Sequence, residues 1–123
     1  MREESELKAL RPEIYTEKAT SDLELFQNQV LRPLLKYQHN IIIQLTKEEK
    51  LFQKQISKVD IIQQKRTITK QFFLNQPHFK YFLVGQICGL MTELELDFYL
   101  KNRKELDKRI SDMLTERILN SIT

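Results

Sequence analysis

Glycine occurs only twice in this chain of 123 residues, at Gly85 and Gly89, and proline only at Pro12, Pro33 and Pro77. Tight β-hairpins need residues at positive φ, usually glycine, so a many-stranded sheet would have almost nothing to turn with. Leu, Lys, Glu and Gln are plentiful and favour helix. The sequence therefore predicts an all-α protein. Its length suits one domain, with roughly two-thirds of the unfolded surface buried on folding. Residues 1–123 are read as a single helical domain in which 1–20 form an N-terminal arm or short helix.

Apolar residues divide the chain. Ser21 and Glu24 have capping-box spacing, and Leu23, Phe26, Val30, Leu34, Tyr37, Ile41 and Leu45 follow at helical intervals. Pro33 lies inside this stripe and predicts a kink or a restart. An unbroken helix over 21–73 would be about 80 Å long, far too long for a domain of radius near 14 Å, so a break is required. Ser57 with Asp60 and Thr46 with Glu49 both have cap spacing. Phe52 and Ile56 extend the earlier stripe, which favours Ser57. Segments 57–73 and 77–90 follow, the latter the most apolar and expected at the centre of the fold. Thr92 and Glu95 form a third cap pattern ahead of a last helix to about 120, with Asn102 as a candidate interruption. The expected architecture is a compact irregular bundle of four to five helices with a long kinked N-terminal helix.

Much chemistry is excluded by inventory. Two glycines cannot make GxGxxG, and no Walker loop is present. One Cys and two His fall short of a Cys/His zinc site, and no Glu stands three residues before a His, as carboxylate di-iron bundles require. Cys88 and His78 on one helix would lie about 15 Å apart, so Cys88 reads as a small buried hydrophobe. No cofactor, metal or catalytic residue is expected. The lone cysteine, the polar acidic N-terminus and the short apolar runs predict a cytoplasmic protein with no membrane partner.

Three features point to surfaces. Asn28, Arg32 and Lys36 recur every four residues on one helical face, with His39 beside them; a helix restarting at Pro33 would add free N–H groups for an anion. Gly85 and Gly89, one turn apart, predict a close helix crossing or, alternatively, a dimer interface. Lys47, Lys50, Lys54 and Lys58 form a cationic stripe within a stretch, 47–80, that holds eight basic and three acidic side chains. Such a stripe can track phosphates or dock on the acidic N-terminal segment.

The segment FQNQVLRPLLKYQ, Phe26–Gln38, resembles a family of short helical bacterial proteins that carry F-Q-N-x-x-L-R-P-x-L-K-x-Q. The similarity extends to Gly85–Glu95 as G-x-x-x-G-L-x-T-x-x-E and covers about a third of the chain. It implies an all-helical protein. Some members carry the label glyoxalase, but vicinal-oxygen-chelate glyoxalases are built from βαβββ modules with His/Glu metal sites. This chain supplies neither those strands nor a paired-histidine ligand set, so an enzyme is disfavoured. The leading functional reading is a non-enzymatic module that binds a protein partner or itself; nucleic-acid binding through 47–70 is the alternative.

Overall fold

The computed structural model describes residues 2–14 and 20–122, so Tyr15 in the N-terminal arm lies outside the described residues. Among the described residues there is no strand, and 80% are helical. The helices are α1 (Glu4–Ala9), α2 (Asp22–Phe26), a π-helical turn (Gln27–Leu31), α3 (Arg32–Tyr37), α4 (His39–Lys47), α5 (Lys50–Ile56), α6 (Ile62–Asn75), α7 (Pro77–Cys88), α8 (Glu93–Lys101) and α9 (Arg103–Ile122). Because α2, the π turn and α3 run on as one helix, these are eight helical units among the described residues, more than the four or five expected.

The extra units come from breaks the apolar stripe does not reveal. Gln38 leaves helical geometry at φ −90°, ψ 3°, yet its N–H still donates to Leu34 O and its carbonyl accepts from Ile42 N–H. The long N-terminal helix is therefore interrupted at Gln38, while at Pro33 it runs on behind a π-helical turn. A full break falls at Glu48–Glu49. Glu49 is extended, and its carboxylate accepts from Leu51 N–H at 3.3 Å to open α5. Thr46, the residue with cap spacing, is buried and donates its hydroxyl back to Ile42 O. The break lets Phe52 meet Phe72 edge-on at 5.4 Å.

Ser57 does not start the next helix. Its hydroxyl closes α5 by donating to Lys54 O, and α6 begins at Ile62 without a side-chain cap. Other local signals hold. Ser21 Oγ accepts from Glu24 N–H, Thr92 and Glu95 form the full capping box, Pro77 occupies the first turn of α7, and Asn102 separates α8 from α9.

The core centres on α9. Leu106, Ile110, Leu114 and Ile118 recur every four residues and are fully buried or nearly so, with α4, α6, α7 and α8 packed around them. The expectation that 77–90 runs through the middle is corrected. Helix α7 buries Leu83, Val84 and Ile87 but leaves Tyr81 and Phe82 exposed. Mean hydropathy alone could not separate a helix with one buried side from a central one.

The N-terminal arm is fastened to the turn between α7 and α8. Leu7 is buried, and Arg2 donates to the carbonyls of Gly89 and Met91. Arg11 makes a bidentate ion pair with Glu95, one bond at 2.8 Å. Burial pushes the Glu95 carboxyl up, but the bonds from Arg11 and Thr92 outweigh it and hold it below the usual carboxylate range.

Candidate functional site

Pro33 has no N–H to return to the turn before it. The chain accommodates this by widening the preceding turn: the N–H of Arg32 bonds to Gln27 O, five residues back. The helix therefore passes Pro33 without restarting, and the free backbone donors expected beside Arg32 do not arise. The wider turn also shifts the angular register, since a π turn takes more residues than the 3.6 of an α-helix. Asn28 is turned into the protein and buried, while Arg32 and Lys36 remain exposed. The predicted face loses its asparagine and keeps its two cations.

His39, half-buried at the start of α4, faces a residue no local pattern announces. Arg117 of α9 places Nη1 3.2 Å from His39 Nδ1. Arginine can only donate, so Nδ1 carries the lone pair and Nε2 the proton. Burial, then the Arg117 charge, push the His39 pKa down. The same logic acts on Arg117: burial lowers its pKa, and the nearby charge of Arg32 lowers it further. Neither Arg32 nor Arg117 has a carboxylate within ion-pair distance among the described residues. Two turns earlier on α9, Arg109 donates to Gln27 Oε1 at 2.7 Å. The result is a surface where α3, α4 and α9 bring Arg32, His39 and Arg117 together, the charge of Arg32 acting on Arg117, with Lys36 one turn further along α3.

A second polar cluster is internal. Tyr99, buried in α8, donates its hydroxyl to Asp107 Oδ1, and Arg103 Nε approaches Asp107 Oδ2 at 3.4 Å. Burial and the Asp107 bond hold the Tyr99 phenol far above its ordinary pKa. Burial raises the pKa of the Cys88 thiol, outweighing the opposing influence of the nearby Tyr99 hydroxyl. This keeps the sulfur protonated and poorly nucleophilic. His78 is exposed, and no Cys–His pair forms.

The glycine pair is not a helix crossing. A Cβ at Gly85 would meet nothing within 4 Å, and one at Gly89 would meet only the carbonyl of Gly85, at 3.2 Å. Both glycines are exposed. The cationic stripe is also divided. Lys47 ends α4, Lys50 and Lys54 lie on α5, Lys58 lies beyond it, and Arg66 is held by Glu116 at 2.9 Å. A break between helices rotates one set of side chains away from the next, so helical spacing across 47–58 does not describe one face.

Among the described residues, no cluster of three or more His, Cys, Asp or Glu is placed to hold a metal ion, and no helix is long and apolar enough to cross a membrane. No family model, curated protein or solved structure matches this chain.

Proposed function

We propose that this protein is a non-enzymatic binding module that takes an anionic group of a partner protein between Arg32 and Arg117. The observation that carries the reading is that Arg117, held 3.2 Å from His39 Nδ1, lies near enough to Arg32 to feel its charge, while neither guanidinium has a carboxylate within ion-pair distance among the described residues. Like charges held together cost free energy, and an anion seated between them would relieve it. Arginine suits the task because its planar fork binds carboxylate or phosphate bidentately. Lys36 adds charge at the rim, and His39 fixes the Arg117 side chain from the other side. The segment resembling helical bacterial proteins, Phe26–Gln38, is the one that supplies Arg32 and Lys36.

The test pairs stability with binding. Arg32→Ala should change stability by less than about 0.5 kcal/mol, as for an exposed side chain. It should weaken capture of a native partner, and of inorganic phosphate followed by NMR at His39, by roughly 1–3 kcal/mol. Unchanged binding in both Arg32→Ala and Arg117→Ala would defeat the proposal.

A further inference from the structure

A separate feature lies on the far edge of α9. Helices α6, α7 and α9 border an open cleft of about 360 Å³. Its apolar surface comes from Phe73, Leu74 and Tyr81, and its rim from Lys70, Lys80, Lys104 and Lys108. Leu74, in the last turn of α6, is 75% exposed and offers an apolar contact at the edge of this concave surface. None of the four lysines has an ion-pair partner among the described residues. Lys80 instead rests its ammonium 4.8 Å from the Tyr81 ring centroid, and Arg103 stands 5.6 Å from the same ring.

Two carboxylates also border the cleft. Asp107 is buried and has both oxygens engaged, by Tyr99 and Arg103. Asp112 sits one turn beyond Lys108 on α9. Four lysines against two aspartates leave the cleft net positive.

From this arrangement we propose that the α6/α7/α9 cleft docks an acidic segment of a partner protein, with one apolar side chain seated on Leu74 and Tyr81 between flanking carboxylates. Charge complementarity selects the acidic character: cations stand on all three walls, with Lys104 and Lys108 about 6 Å apart along α9. The exposed apolar surface requires an anchor, which a purely acidic chain lacks. The protein's own acidic helix α1 is held at the α7–α8 turn, where Leu7 is buried and the preceding Arg2 donates to Gly89 O, so α1 does not fill this cleft. A nucleic-acid strand fits less well, because Tyr81 is the one exposed aromatic of the cleft and successive bases need a stacking platform.

The probe is a short fluorescein-labelled peptide of Glu and Asp with one central Phe, followed by fluorescence anisotropy on the full chain. Saturable binding is expected. The exposed double change Lys104→Glu with Lys108→Glu should weaken it by at least about tenfold, and Leu74→Ser by a similar factor. The same factors should be lost when the lysine and Leu74 changes are made in an Arg32→Ala background, which separates this site from the Arg32–Arg117 surface. Absence of saturable binding, indifference to both the lysine and the Leu74 changes, or equal affinity for the peptide with Phe replaced by Ser would each overturn the proposal. Complete displacement by a single-stranded oligonucleotide would overturn it in favour of phosphate recognition.

Discussion

Arg117 Nη1 lies 3.2 Å from His39 Nδ1, across 78 residues of sequence, and this contact favours a neutral imidazole. The folded pKa of His39 is pushed below its ordinary value of 6.5, first by burial and then by Arg117. The unfolded chain therefore binds the proton more readily than the folded one. Stability should be level above about pH 6.5 and should fall as the pH drops below it. Thermal melts across this range check the slope, and His39→Gln should remove its part while keeping an acceptor for Arg117. An NMR midpoint for His39 at or above 6.5 would contradict the prediction.

At lower pH a different group acts. Glu95 is held below the usual carboxylate range, burial being outweighed by Arg11 and Thr92. Its contribution is present above the unfolded carboxyl pKa of about 4.3 and is lost as the pH falls through the folded value. Arg11→Ala should cost on the order of 3 kcal/mol, because both partners are largely buried. Arg11→Lys should restore only part of this, since lysine cannot form the bidentate fork. Chemical denaturation of the two variants at neutral pH, compared with wild type, is the measurement.

Gly85→Ala should stabilise the protein by about 0.5–1 kcal/mol. Gly85 sits inside α7 with open space where a Cβ would go, so only the helix-propensity gain remains. Gly89→Ala should gain less, because its Cβ would meet Gly85 O at 3.2 Å. A lower melting temperature for Gly85→Ala would show that another surface covers α7 in solution.

Tyr99→Phe should destabilise the fold by about 1–3 kcal/mol. The change removes the hydroxyl that satisfies buried Asp107 and leaves that carboxylate to Arg103. In the wild-type protein, Cys88 should react slowly with a disulfide reagent at pH 8, its pKa being raised by burial. Rapid stoichiometric labelling of the native state would show that the thiol is not held as described.

The all-helical character and several local boundaries are legible without coordinates. Capping at Ser21 and Thr92, the start at Pro77 and the interruption at Asn102 all depend on residues within four positions of each other. The Asp97–Lys101 ion pair, at 2.9 Å, is local in the same way. The break at Glu48–Glu49 is legible only as one of two alternatives, and it is Glu49, not Thr46, that caps the new helix, because the Thr46 hydroxyl is spent on Ile42 O.

For the candidate site, sequence spacing named Arg32, Lys36 and His39 but could not supply Arg117, which only the packing of α9 against α4 brings to His39. It also misplaced Asn28, because an α-helical period cannot anticipate a π turn ahead of Pro33. The sequence by itself determined that the chain is helical and where many of its ends lie, since propensity and capping act within a turn. Only the tertiary structure decided which helix is central, which charges meet without partners among the described residues, and that Gly85 faces open space with no other helix against it, because those outcomes depend on how residues far apart in the chain are brought together.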